Sequence, residues 1–466
     1  MKQNISKPGT NPGAGTGTNT ATAACIDNCP DLDLDLDLYG RKTNLLIRNI
    51  RIENKPAEIY IENGLISSVG EKIKDHDAEF ILDGDRATAL PGLYNMHTHA
   101  PMSLLRGYSD DLELFEWLST LIWPTEAHLT SDDLYWGTKL ACLEMVRTGT
   151  TFFNDMYFGI ESIARAADES GMRACLSYAT VDNGDADKRA SELQTTRDAI
   201  RAVRARNNPR LLTAVAPHAV YTVSGEGLSA LAELAEEEDT FLHVHVSETQ
   251  KEVTDCIADH GMSPVAWLDK CGVLSPRCLA AHSCWLDAND VELYAKRGVT
   301  AVMNPVSNMK LASGKMSPYR ELVNAGANVA LGTDGASSNN SLDMFEEMKV
   351  ASIAQKLSTN DPTIMPAAEA LKVASFNGAK AMGLKGGLLA PGYLADIILV
   401  ERNPSSVPAF STTSNAVYAT CGKDVATTIC DGVVLMHDKY IPGMEEIMAK
   451  AEAVAFNLAE RAGVRK

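Results

Sequence analysis

Six of the chain's ten histidines fall at or beside the ends of short apolar runs: His97, His99, His218, His243, His245 and His282. In His97-Thr98-His99 the spacing of two puts both imidazoles on one face of a strand, because side chains alternate. His245 closes a second run, TFLHVHV, and Asp334 closes a third, in LGTDG. Three neutral imidazoles and one carboxylate suit a first-row divalent ion such as Zn2+, with a position left for water. An H-x-H pair alone is weak, since two core histidines share that spacing. Its weight comes from His245, His282 and Asp334 standing at strand ends as well. His243, two residues before His245, faces the same interior one layer deeper and reads as a hydrogen-bonded neighbour of the ligands. His76, His128, His260 and His437 read as loop or surface residues.

A metal site does hydrolysis only if protons can also be moved. Zinc lowers the pKa of its water to about 7. Glu248, three residues past His245, lies on the loop at the strand mouth. From there it can pass protons to a ring nitrogen and to a leaving amine. A loop glutamate is ordinarily just solvated; the place beyond a ligand gives this one its catalytic reading. His282 would hold the water opposite Glu248, with Asp334 sharing in its orientation and deprotonation.

The elements that must carry these groups alternate. Between about 91 and 384, apolar runs (TTFFNDMY, RACLSYATV, LLTAVAPHA, TFLHVHVSE, CLAAHS, VTAVMNP, NVALGTDG) are separated by helix-like stretches such as LYWGTKLACLEMVR. Repeated β-then-α units imply a parallel sheet. Phosphate-binding glycine loops are missing, and polar residues gather at the C-terminal ends of the runs, so a (β/α)8 barrel is expected. Strand-like blocks from 41 to 90, with a turn at Asn63-Gly64, and from 385 to 440 predict a small β-sandwich domain formed from both chain ends. From Glu445 to Arg461, Ile447, Ala451, Val454 and Leu458 share one helical face, which predicts a packed helix within 441–466. Residues 1–40, ending in DLDLDLDL at 31–38, are expected to form a disordered low-complexity tail.

Composition narrows the setting. The chain of 466 residues is 45% hydrophobic, long enough for a barrel and a second domain. A formal net charge of −19 argues against a nucleic-acid partner, since phosphate binders carry basic patches. The sequence has no apolar run of membrane-spanning length and no secretory signal at its start, so a cytoplasmic protein is expected. Ten scattered cysteines without a C-x-x-C pair read as buried free thiols.

PGLYNMHTHAPMSLLRG, DDLELFEWLSTLIWPTEAHLT, HVHVSET, AAHS, NPVSNMKLASG and LGTDGASSNNSLDMFEEMK resemble the amidohydrolase superfamily. The nearest likeness is to the 5-methylthioadenosine/S-adenosylhomocysteine deaminase family, over roughly residues 44 to 440. The resemblance implies hydrolytic deamination of adenine nucleosides (5'-methylthioadenosine, adenosine, S-adenosylhomocysteine) with one divalent ion per subunit, Zn2+. A small-molecule nucleoside partner and a homo-oligomer are expected. By that likeness His97, His99, His245 and Asp334 are the metal ligands, while Glu248 and His282 move protons. Glu126, in WPTEAHL, matches an acidic residue that receives the ribose hydroxyls, suitably for a carboxylate that accepts two hydrogen bonds. His218 matches a purine contact, and Trp117, otherwise a core residue, an aromatic of the nucleoside pocket. Members that take S-adenosylhomocysteine carry arginines at its amino-acid end. Here Tyr178 stands at one such position, and Arg189 reaches the other only across a one-residue gap.

Other readings stand beside this one. A relative acting on guanine, a triazine or another N-heterocycle would have no ribose for Glu126 to receive. A binuclear hydrolase would need a lysine on a middle strand, which RACLSYATV and LLTAVAPHA lack. The H-x-E and P-C-x-x-C signature of cytidine deaminases is missing. A barrel decayed into a scaffold should have lost ligands, and here every position is filled.

Overall fold

A computed structural model describes residues 38–74 and 78–463. The expectations for residues 1–37, for His76 and for Cys25 and Cys29 lie outside the described residues. The chain begins with β1 (Leu45–Ile52), β2 (Lys55–Glu62), β3 (Leu65–Gly70), β4 (Phe80–Asp83) and β5 (Thr88–Pro91). β2 and β3 form a hairpin across Asn63 and Gly64, both at positive φ (54° and 79°), as a two-residue turn of this hand requires.

Eight barrel strands follow: β6 (Leu93–Thr98), β7 (Thr150–Tyr157), β8 (Arg173–Thr180), β9 (Leu211–Pro217), β10 (Phe241–Val246), β11 (Cys278–His282), β12 (Thr300–Met303) and β13 (Asn328–Leu331). All pair in parallel and in chain order. β7 is buried at every residue, as a strand covered by helices outside and by core inside must be. Tyr94, Phe152, Cys175, Leu279, Val302 and Ala330 fill the interior below the mouth. The first and last strands are joined by side chains: Asn95 Nδ2 donates to Thr333 Oγ1 at 2.7 Å, and Thr333 N–H to Asn95 Oδ1 at 3.0 Å. Asp334 N–H then donates to the His97 carbonyl at 3.0 Å. Gly332 lets the strands come this close, since a Cβ there would lie 2.6 Å from His97 N.

β14 (Ile397–Val400), β15 (Val425–Cys430) and β16 (Val433–Met436) return to the N-terminal strands. Together they form one mixed sheet in the order β16-β15-β14-β5-β1-β2-β3, with β4 on β1. Alternation divides β14: Ile397 and Leu399 face the small domain's own core, and Ile398 and Val400 face the barrel's. A buried ionic knot joins the two, with Arg173 3.4 Å from Asp396 and 3.2 Å from Asp431. Leu38 and Tyr39, read as the end of the tail, pack on this domain, where Tyr39 bridges Val434. The last helix, Met444–Arg461, buries Ala451 and Leu458 and lies on the helix Ser131–Arg147. Among the described residues no helix is long and apolar enough to cross a membrane.

Candidate active site

The histidines converge at the C-terminal mouth of the barrel. His97 and His99, on and just past β6, have ring centroids 4.9 Å apart, and both rings lie close to that of His245 on β10. Two of these rings have their protons assigned by backbone acceptors. His99 Nδ1 donates to the Met156 carbonyl at 2.6 Å, and His245 Nδ1 to the His218 carbonyl at 2.7 Å. Their Nε2 lone pairs therefore face each other at 3.4 Å. Two acceptors at that distance repel unless a cation or proton lies between them. His97 Nε2 is fully buried and makes no hydrogen bond. Its Nδ1 lies 2.8 Å from Nε2 of His243, one layer deeper on β10, as strand periodicity predicts.

Asp334 completes the cluster. Its Oδ1 is 3.3 Å from Nε2 of both His97 and His99, while Oδ2 accepts from Ser307 (2.6 Å) and Ser338 (2.8 Å). Burial works against this carboxylate, yet His97 and His99 hold it well below the usual range. Burial also opposes a proton on His99, but Asp334 raises that imidazole to about 9. His245, lacking such a partner, is driven well below its ordinary value by burial. The donor set fits a divalent ion: the ring nitrogens of His97, His99 and His245 lie within 4.8 Å of one another, as do donor atoms of His97, His282 and Asp334, and the two groups share His97.

The turns that present these groups are strained. Ser247, His282, Ser283 and Asp334 have φ of 51°, 69°, 51° and 64°, left-handed values that non-glycine residues avoid. Such strain gathers at functional sites. Glu248 is buried in the first of these turns, and its Oε2 lies 3.7 Å from His282 Nε2. Burial, aided by the charge of Asp334, pushes its carboxyl up to about 8. Glu252 clamps the turn, accepting the N–H of Ser247 and of Glu248, each at 2.8 Å. The amides of Asn304 and Asn308 flank His282 Nδ1 at 3.3 and 2.9 Å.

Trp117, Glu126, His218, Glu248, His282 and Asp334 all line one cavity with His99 and His245. Trp117 and Glu126 come from a segment crossing the mouth, where Trp117 donates to the Ser109 carbonyl at 3.3 Å. Lys310 binds Asp110 and Asn340 at its edge. Burial lifts Glu126 to about 7 and lowers His218 to about 4. Arg189 does not join them. Its guanidinium donates to Ser224 at 3.1 Å and lies 3.8 Å from Asp182, anchored at the start of its own helix. Tyr178 pairs with Glu192 at 3.4 Å.

Several residues of the site escaped the sequence reading. Ser307, Asn308 and Ser338 lie in the stretches SNMKL and DGASSNNS, which carried the resemblance without an assigned role. Glu252 sits three residues after Thr249, the spacing of a helix capping box, but its carboxylate reaches back past the cap to the Glu248 turn. Tyr157, read only as strand, donates to Glu126 Oε1 at 2.5 Å.

Comparison with known proteins agrees with this geometry. Over 430 residues the chain is 54% identical to a 5'-deoxyadenosine deaminase of Methanoregula boonei, covering 91% of this chain and 97% of that protein. It is 45% identical over 422 residues to 5-methylthioadenosine/S-adenosylhomocysteine deaminase 1 of Archaeoglobus fulgidus, covering 89% and 99%. An adenosine deaminase from Xanthomonas campestris, solved with bound zinc, superposes with a TM-score of 0.82 at 33% identity, covering 90% of this chain and 99% of that one. Residues 88–435 match the model of the amidohydrolase family. The resemblance carried by the motifs is borne out: the chain belongs to the amidohydrolase family.

Proposed function

We propose that the protein is a zinc-dependent deaminase of adenine nucleosides, converting 5'-deoxyadenosine, 5'-methylthioadenosine and adenosine to the inosine analogues and ammonia. The observation that carries this is one cavity lined both by the His–Asp cluster and by the half-buried carboxylate of Glu126, which can accept a diol. The likeness to deaminases of 5'-deoxyadenosine and 5'-methylthioadenosine supports it. Leu114, Leu118 and Phe158 line the same cavity, which suits a 5' substituent without a hydroxyl. Free thiols at Cys142, Cys175, Cys256, Cys271, Cys278, Cys284, Cys421 and Cys430 agree with a reducing cytoplasm.

His97, His99, His245 and Asp334 would hold the ion. When bound, it supplies Lewis acidity that makes water a nucleophile near neutral pH. The protein's own groups do the rest. His282 and Asp334 line the cavity and would orient the attacking water and take its proton. Glu248, protonated at neutral pH by its raised pKa, donates to N1 of the ring as water adds to C6. Now a carboxylate, Glu248 takes the hydroxyl proton at C6 and passes it to the departing amine, so the water oxygen stays on C6 as the carbonyl, ammonia leaves, and the first water proton returns to Glu248.

S-Adenosylhomocysteine is expected to be the poorer substrate. Tyr178 faces Glu192, Arg189 is held by Asp182 and Ser224, and Arg173 lies in the knot with Asp396 and Asp431. None of the three offers a free fork to a carboxylate. The test is a panel of adenosine derivatives, guanine and a triazine, followed by absorbance and ammonia release. Turnover of guanine or the triazine in preference to every nucleoside would overturn the proposal.

A further inference from the structure

Tyr157 ends β7 and is buried, and the residue before it, Met156, accepts the Nδ1 proton of His99 at 2.6 Å. Tyr157 itself donates to Glu126 Oε1 at 2.5 Å. Two successive residues of one barrel strand thus hold a histidine of the hydrolytic cluster and the carboxylate expected to receive the ribose. We propose that Tyr157 is a positioning residue for ribose recognition, registering Glu126 against the reaction centre. This rests on the reading of Glu126 as the acceptor of the ribose diol.

The requirement comes from the substrate. In a nucleoside, C6 and the 2',3'-diol are separated by a rigid base and one glycosidic bond, so a group grasping the diol must stand at a set distance from the attacking water. Glu126 is poorly placed to keep that distance alone. It is the last residue of a helical run across the mouth that is widened by a π segment at Leu118–Ile122, and its side chain rotates about three bonds. Among the described residues Tyr157 is the only hydrogen-bond partner of its carboxylate. The phenol engages one lone pair of Oε1 and leaves Oε2 open, so both oxygens can still accept a hydroxyl. Without the phenol the carboxylate must be ordered when substrate binds, and affinity falls by that cost. A purely structural tyrosine, merely satisfying that carboxylate, would affect every substrate alike.

The test compares adenosine with 2',3'-dideoxyadenosine, which differ only in the diol, on wild type, Tyr157→Phe, Glu126→Gln and the double variant. Phenylalanine keeps the buried ring, and melting temperature and metal content report the fold. Wild type should prefer adenosine in kcat/KM, and Glu126→Gln should lose most of that preference. Tyr157→Phe should reduce it about 2- to 12-fold, the ordering cost of one flexible side chain, through KM for adenosine and with dideoxyadenosine unchanged. The double variant should lose no more than Glu126→Gln alone. If wild type and Glu126→Gln treat the two substrates alike, the reading of Glu126 is what fails. If Glu126→Gln loses the preference while Tyr157→Phe keeps it, or slows both substrates equally, the positioning role of Tyr157 is overturned. Additive losses in the double variant overturn it too.

Discussion

Gly332→Ala perturbs the His–Asp cluster by pressing on His97, at its backbone and at its Cβ (2.8 Å), while removing no group that could bind or react. Gly332 is the first residue after β13, and an added Cβ would lie 2.6 Å from His97 N and 2.8 Å from the His97 carbonyl oxygen. Ordinary contact begins at 3.4 Å, so β6 and β13 must part by about 0.8 Å. One of those strands carries His97 and the other leads to Asp334, and the Asp334 N–H to His97 carbonyl bond spans the same gap. Ligand distances in a metal site tolerate only about 0.2 Å. The displacement is several times larger, and relaxation elsewhere must absorb it. Overpacking of this kind costs about 1–3 kcal/mol, which lowers the melting temperature by only about 1–3 °C in a chain of this size. Loss of ligand alignment should weaken metal binding by about 10- to 100-fold, the range seen when supporting contacts are removed. The assay is competition for zinc against a chromogenic chelator, with melting followed in parallel. Wild-type zinc affinity in a folded Gly332→Ala variant would falsify the claim that strand closure sets the cluster's geometry.

Glu248→Gln should keep its metal and lose at least about 10²-fold in kcat, the lower range for a general acid–base group; near-normal turnover would place proton transfer elsewhere. Chelation should abolish activity and zinc restore it, and full turnover in verified metal-free protein would contradict the assignment of the cluster. Metal-free protein should lose stability between pH 6.5 and 8.5. Burial raises Glu126, Asp155 and Glu252 to about 7 and Glu248 to about 8, so the folded chain releases protons there that unfolded carboxyls have already lost. A urea midpoint that rises or stays flat over this range would refute it. Arg173→Leu leaves Asp396 and Asp431 without their buried cation and should cost about 3–5 kcal/mol in denaturant unfolding; a loss under about 1 kcal/mol would show the knot to be dispensable.

Legibility in the sequence followed the range of the interaction. TTFFNDMY coincides with β7 from end to end, its polar Asn154 and Asp155 buried on partners from the neighbouring β6 segment, the Met96 carbonyl and the Ala100 N–H. The H-x-H pair and the deeper place of His243 follow from strand alternation alone. Asp334 is different: it was expected to close a strand, yet β13 ends at Leu331 and the aspartate follows in a left-handed turn. No periodicity foretells such a turn, which is held by contacts with the His97 carbonyl, Ser307 and Ser338. The link between Tyr157 and Glu126 joins residues 31 apart, and nothing local in either segment encodes it. For Arg189 an alignment gap could not show that Asp182 and Ser224 hold its guanidinium.

The pairing of β5 with β14 has a consequence for synthesis. Pro91 lies opposite Ile397 and Thr88 opposite Val400, so one edge of β5 waits for strand partners made almost at the end of the chain. At about 5–20 residues per second, that edge emerges from the ribosome roughly 15–60 s before its complement does. Throughout that interval the N-terminal strands offer open backbone donors and acceptors to any other extended chain nearby. A polypeptide stopped short of Ile397 would hold that exposed edge permanently, even with His97, His99, His245 and Asp334 already made.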